Sequence, residues 1–178
     1  MALTIETGAV VAGANSFVTV AEIKAFVGSV ALPTATDSEI ERAAVNAGRY
    51  LDGYYRARWK GARVQPLAQC MEWPRYGVEV GTVAPYIGGV YLNGAVFNQY
   101  LPTTTIPQRV KDAQCELALR SLTGALSADS TTGIKREKLD VIETEYVTGS
   151  APIATYAVVD QLLSDYLSPL GCSTLQRG

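Results

Sequence analysis

Residues 49–75 read RYLDGYYRARWKGARVQPLAQCMEWPR. The stretch opens on the last turns of a helical pattern and closes on a tryptophan set against a proline. Arg56, Arg58, Lys60, Arg63 and Arg75 stand among Tyr50, Tyr54, Tyr55, Trp59 and Trp73, and only Asp52 and Glu72 offset the charge. Both tryptophans of the protein lie here. By composition the stretch suits a nucleic-acid patch, a protein interface or a solvated rim around buried aromatics. Arg56, Arg58, Lys60 and Arg63 are its candidate DNA-facing residues. Bases stacked on Trp59 or Tyr55, with the neighbouring cations on phosphates, is the physics of single-strand binders. Against that, a tyrosine or tryptophan just after a helix is more often core.

Upstream, Ile40, Ala43, Ala44, Ala47, Leu51 and Tyr54 recur at the spacing of one helix face. Glu41, Arg42, Arg49 and Arg56 take other faces. The pattern predicts a long helix from a Thr36–Glu39 capping box to about Arg58, with Gly61 just beyond. Gly48 costs such a helix about 1 kcal/mol against alanine, and close approach of another helix is the preferred reason for it. Thr19 and Glu22 repeat the capping-box spacing and start a short helix that ends near Val27, before Gly28. Residues 1–18, with Gly8 and Gly13, suit an extended arm.

Downstream, residues 67–73 suit a short helix that stops before Pro74. Residues 78–105 read as a long loop or loose hairpin rich in glycine and tyrosine, with no charge between Glu79 and Pro102. Four uncharged aromatics there, Tyr86, Tyr91, Phe97 and Tyr100, are expected to pack on a neighbouring subunit. A tolerated surface insertion is the plainer alternative. Ile106-Pro107 opens a second long helix that ends near Leu122, with Gly124 closing it. Its apolar stripes, Val110, Ala113 and Leu117 beside Cys115, Leu119 and Leu122, make it a central helix. Residues 134–147 alternate like a strand or a hairpin turning near Asp140, its basic first half pairing with its acidic second half. Tyr156 to Leu167 forms a last amphipathic helix, and residues 168–178 a mobile tail.

The fold expected is therefore mainly α: one domain over residues 1–178, a small helical bundle of two long central helices with short N- and C-terminal ones, plus a β-hairpin element. Charged residues make up 18% and the net charge is −2, so any nucleic-acid contact must be local. The absence of histidine removes the commonest general base and zinc ligand. Cys70, Cys115 and Cys172 are far apart and odd in number, which reads as free thiols in a reducing compartment. No run of about 18 apolar residues and no basic leader suggests a membrane or an export signal. No catalytic, cofactor or metal constellation appears. Glu143 and Glu145 share a strand face, best read as a solvated edge.

The ordered set of segments resembles one family. It runs from Gly13-Ala14-Asn15-Ser16-Phe17-Val18-Thr19-Val20-Ala21-Glu22 through Tyr50-Leu51-Asp52, Arg58-Trp59-Lys60-Gly61, Arg63, Trp73-Pro74-Arg75 and Gly77-Val78. It continues with Ile106-Pro107, Val110-Lys111, Ala113, Glu116-Leu117-Ala118, Ile134-Lys135-Arg136-Glu137-Lys138, Glu143 to Tyr146, Val159-Asp160 and Leu162-Leu163. This is similar to the head–tail connector (adaptor) proteins of tailed bacteriophages, whose members are often labelled DnaT-like single-strand-binding proteins. The resemblance implies a structural virion neck protein, present in the host cytoplasm during assembly. It implies a homo-oligomeric ring of twelve copies docked on the portal protein, with double-stranded DNA passing through. A neck, stopper or tail protein would bind on the far side. It places a portal interface at Tyr156, Val159, Leu162, Leu163, Tyr166, Leu170 and Leu175. Residues 80–101 are longer than the family's usual link. The alternative is a DnaT-like single-stranded-DNA-binding module acting in replication through Trp59 and its cations.

Overall fold

The computed structural model describes residues 2–28, 34–83, 86–87, 90–91, 97–127, 136–139, 142–145 and 156–168. Four helices dominate these residues: α1 (Val20–Val27), α2 (Asp37–Tyr54), α3 (Gln108–Thr123) and α4 (Ala157–Leu163), the last continued by a 3₁₀ turn over Ser164–Tyr166. Short antiparallel pairs join them. β1 (Ala62–Arg63) pairs with β2 (Arg75–Tyr76), and β3 (Glu79–Val83) with β6 (Phe97–Tyr100). Between the latter, β4 (Tyr86–Ile87) pairs with β5 (Val90–Tyr91). β7 (Arg136–Leu139) pairs with β8 (Ile142–Glu145). Among the described residues helix is the main regular structure.

Both early helices start where the capping chemistry puts them. The Thr19 hydroxyl accepts from the Glu22 N–H at 3.1 Å, and the Glu22 carboxylate takes the Thr19 N–H at 2.7 Å. The Glu39 carboxylate takes the Thr36 N–H at 2.8 Å. Each pairing satisfies a donor that a helix N-terminus otherwise leaves orphaned. Helix α2 ends at Tyr54, a turn earlier than its sequence suggests. Residues 55–58 turn away, because the following segment lies down on the C-terminal residues: the Lys60 N–H donates to the Tyr166 carbonyl and the Ser168 N–H to the Arg58 carbonyl. Residues 67–73 form turns rather than a short helix.

The core lies between α2 and α3. Ile40, Ala44, Ala47 and Leu51 meet Val110, Ala113, Leu117 and Ala118, all buried. Val159 and Leu163 of α4 close it. Each fully buried aliphatic side chain contributes roughly 1.5–3 kcal/mol. Gly48 is indeed a close-approach site, but the nearest neighbour is not only a helix. A Cβ there would stand 2.8 Å from the Asn15 carbonyl oxygen and 3.2 Å from both Gln114 Nε2 and Met71 Cε.

The N-terminal arm carries no helix, yet it is packed rather than loose. Phe17 and Val18 are in the core. Buried Gln114 of α3 ties them down: its Oε1 accepts from the Phe17 N–H at 2.8 Å, and its Nε2 donates to Ser16 Oγ at 2.9 Å and to the Ala44 carbonyl at 2.8 Å. The buried Glu6 carboxylate accepts from the N–H groups of Gly8, Val10 and Val11. A buried polar group is stable only when so partnered. Nothing in the one-dimensional pattern marked Glu6 or Gln114.

The loop expected over residues 78–105 is, where described, a two-stranded ribbon, with Glu79 opposite Tyr100 and Val83 opposite Phe97. The 136–145 hairpin places Arg136 opposite Glu145 and Lys138 opposite Glu143, the charge alternation its sequence suggests. The tail expected over residues 168–178 lies outside the described residues beyond Ser168.

Candidate nucleic-acid interface

The basic and aromatic stretch divides into a buried half and an open edge. Tyr55, Trp59 and Trp73 are in the core. Their rings form an edge-to-face chain: Tyr54 to Tyr55 at 4.8 Å, Trp59 to Trp73 at 5.6 Å and Trp73 to Tyr166 at 5.9 Å between centroids. Neither Trp59 nor Tyr55 offers a face to a base, so stacking on them is ruled out by burial. Burial, with Asp160 adding to it, pushes the Tyr55 hydroxyl far above the ordinary tyrosine range.

Three of the four candidate DNA-facing cations serve the fold. Arg58 reaches Asp160 at 3.4 Å and lies over the Tyr55 ring. Lys60 Nζ donates to the Asp165 carbonyl at 2.7 Å, and Arg63 donates to the Gln69 carbonyl at 3.2 Å. Buried Arg75 gathers the loop ends, donating to the carbonyls of Lys60 and Gly61 and to the Glu72 carboxylate at 2.7 Å. Arg56 is the open one: its side chain is 70% exposed, 3.6 Å from Glu72. Asp52 accepts the Glu72 N–H at 3.2 Å. Burial first, then the nearby Glu72 charge, raises its carboxyl to about 7, while the Glu72 N–H, Arg63 and Arg56 pull the other way.

The residues carried over as a portal surface are largely spent inside this chain. Val159 and Leu163 are fully buried, Leu162 and Tyr166 pack on the core, and Tyr156 packs on Tyr50. Leu170 and Leu175 lie outside the described residues. Tyr100 is exposed on the ribbon, where the side chains of Tyr86, Tyr91 and Phe97 are not described.

A groove opens on the other side of the aromatic chain. It holds about 600 Å³ between α2 and the end of α3, lined by Asn46, Arg49, Tyr50, Gly53 and Tyr54 on one wall and by Ser121 and residues 124–127 on the other. The Tyr50 and Tyr54 rings are stacked at 5.2 Å and 17°. Tyr54 is half-buried, and a Cβ on Gly53 would touch nothing within 4 Å, so the wall beside the rings is open. Burial and the neighbouring Tyr54, Tyr156 and Asp160 push the Tyr50 hydroxyl up to about 12, so it stays neutral. The far wall is pinned by Tyr156, whose hydroxyl donates to the Leu126 carbonyl at 2.9 Å. The Tyr156 ring meets Tyr50 edge-on at 5.5 Å, and the Arg120 guanidinium caps it at 5.0 Å. A smaller polar recess of about 130 Å³ continues the groove and carries Glu39 and Arg42. Asn46 and Ser121 line both.

The sequence contained this site without marking it. Arg42 and Arg49 are seven residues apart on α2, about 10 Å along one face, and Arg56 follows in the turn after the helix ends. Reading them as residues of other faces passed over the face that Arg42 and Arg49 share.

A family model matches the chain over residues 1–178, and its description is "Putative DnaT-like ssDNA binding protein". The chain belongs to that family. No curated protein and no solved structure matches it. The match overturns the head–tail connector reading. With it go the virion neck role, the twelve-copy ring, the portal and tail-side partners and the double-stranded DNA in a channel. In this chain the Arg58–Gly61 and Trp73–Arg75 motifs build the aromatic core and its Arg75 clasp. Among the described residues no helix is long and apolar enough to cross a membrane.

Proposed function

We propose that this DnaT-like protein is a non-catalytic binding module for single-stranded DNA. The reading treats its helices as a small bundle whose central pair, α2 and α3, holds the strand along the outer face of α2. The observation that carries it is the stacked Tyr50–Tyr54 pair opening into a groove on the side of α2 that bears Arg42 and Arg49, with Arg56 in the turn beyond. An aromatic face in a cationic track is what an unpaired strand needs. Stacking contributes about 1–3 kcal/mol per base, and the cations hold the backbone whatever the sequence. Three phosphate contacts give a slope of log K against log salt of about −2.

The test is fluorescence anisotropy of a labelled oligo-dT with wild type and Gly53→Glu. Position 53 has room for a side chain, glutamate is a better helix former than glycine, and its carboxylate enters the groove. Wild type should bind with a salt slope near −2, and the variant should bind at least tenfold more weakly at a melting temperature no lower than that of wild type. A wild-type protein that ignores oligo-dT at low salt, or a variant that keeps full affinity, defeats the proposal.

A further inference from the structure

We infer that Asp52 is a proton-operated latch on Arg56: neutral, it leaves Arg56 to the strand, and ionised, it draws the guanidinium inward and takes one cation out of the track. The inference rests on the single-strand reading above and adds regulation to it. Asp52 and Arg56 are four residues apart across the end of α2, acid before base, the order and spacing in which a carboxylate and an arginine meet on consecutive turns. Tyr55 keeps a helical backbone, φ −94° and ψ 0°, so the spacing carries past the last residue of the helix. Four charged groups face Asp52: Glu72 from the loop before Pro74, Arg63 of β1, Arg75 of β2 and Arg56 itself. Arg63 is held by the Gln69 carbonyl, and Arg75 by the Glu72 carboxylate and the carbonyls of Lys60 and Gly61. Arg56 makes no hydrogen bond to a described residue, and its Nε stands 3.6 Å from Glu72 Oε1.

Asp52 Oδ1 accepts the Glu72 N–H at 3.2 Å, and no described residue donates to Oδ2. A neutral carboxyl needs no cation there. A carboxylate beside the Glu72 charge does, and of the three arginines Arg56 is the one whose side chain is uncommitted. Burial and the Glu72 charge set the Asp52 titration at about 7. The chain has no histidine, so the residue type that ordinarily changes charge between pH 6 and pH 8 is missing and leaves that window to Asp52. Protonated Asp52 is the form that frees Arg56. Affinity for the strand is therefore highest below the Asp52 titration and falls as pH rises through it. Proton and strand are then coupled ligands of one protein, and coupling of that kind is worth about fivefold or more. With Arg56 withdrawn, two phosphate contacts remain of three, and the slope of log K against log salt drops from about −2 to about −1.4.

The experiment measures the affinity of wild type, Asp52→Asn and Arg56→Gln for a labelled oligo-dT at pH 6 and pH 8 and at fixed salt. Emission of the buried tryptophans at each pH checks that every protein is folded. Wild type should bind about fivefold more weakly at pH 8, with the shallower salt slope. Asp52→Asn should bind at both pH values as tightly as wild type does at pH 6, because asparagine has no charge with which to hold Arg56. Arg56→Gln should bind alike at both, at the level of wild type at pH 8. Equal binding by wild type at the two pH values sinks the latch and leaves the single-strand reading standing. A fall that persists in Asp52→Asn belongs to another group, and one that persists in Arg56→Gln does not act through Arg56; either result overturns the inference. If wild type binds oligo-dT at neither pH, the underlying reading falls and this inference with it.

Discussion

Trp59 and Trp73 meet edge to face, 5.6 Å between ring centroids at 88°, and both are buried. This contact decides what the tryptophans are for. Edge-to-face pairs add about 0.5–1.5 kcal/mol beyond the area they bury. Trp59→Ala should therefore cost about 3–5 kcal/mol of stability. Urea denaturation checks it. Any loss of DNA binding in that variant should track the unfolded fraction and disappear when stability is restored by lowering the denaturant. A folded Trp59→Ala protein with selectively weakened binding is incompatible with the site assigned to the groove.

Two glycines on α2 should respond in opposite directions to the same substitution. Gly48→Ala gains helix propensity but drives a Cβ to 2.8 Å from the Asn15 backbone carbonyl. Backbone yields less readily than a flexible side chain, so the variant should lose about 1–3 kcal/mol. Gly53→Ala meets open space and should gain about 0.5–1 kcal/mol. Thermal melts of the two variants give the answer, and a stabilised Gly48→Ala contradicts the packing of the arm against α2.

Local chemistry made much of this fold legible in its sequence. Capping boxes are decided by residues three apart, so Thr19–Glu22 and Thr36–Glu39 mark the helix starts on their own. The buried stripe from Ile40 to Leu51 follows from helical periodicity. The candidate site was not legible, and the reason is non-local. Tyr54, Tyr55 and Trp59 look alike as residue types. What buries Trp59 and Tyr55 and leaves Tyr54 lining a groove is where residues 156–168 dock, more than a hundred residues along the chain. The Lys60–Tyr166 and Ser168–Arg58 backbone bonds and the Tyr55–Asp160 hydrogen bond record that docking. Arg58, Lys60 and Arg63 likewise read as surface charge until the carbonyls and the carboxylate they serve are located.

Asp52 predicts a pH dependence of stability. Its folded carboxyl sits at about 7 against an ordinary 3.8, because burial and the Glu72 charge favour the neutral form. A group whose folded pKa is raised contributes stability that is complete below its unfolded pKa and is lost as pH rises through the folded one. Wild type should thus lose up to about 4 kcal/mol relative to Asp52→Asn between pH 4 and pH 8. The variant keeps an oxygen to accept the Glu72 N–H and carries no charge to desolvate. Chemical denaturation of both proteins across that range measures the difference, and parallel curves refute it.

Tyr156 separates the groove's shape from the protein's stability. Its ring packs on Tyr50 while its hydroxyl holds the Leu126 carbonyl, which fixes the wall opposite Tyr54. Tyr156→Phe keeps the ring and the Arg120 contact and deletes one hydrogen bond, leaving a carbonyl to find water at a site near the surface. The cost should be about 1 kcal/mol, a shift of a few degrees in melting temperature. Binding should suffer more, because a wall free to move no longer confines a base against Tyr54, and ordering it again opposes association. A fivefold or greater loss of oligo-dT affinity with a melting temperature only a few degrees lower is the expected pair of results. Unchanged affinity would mean that the strand does not use the space between Tyr54 and Leu126, and the groove would lose its role as the binding surface.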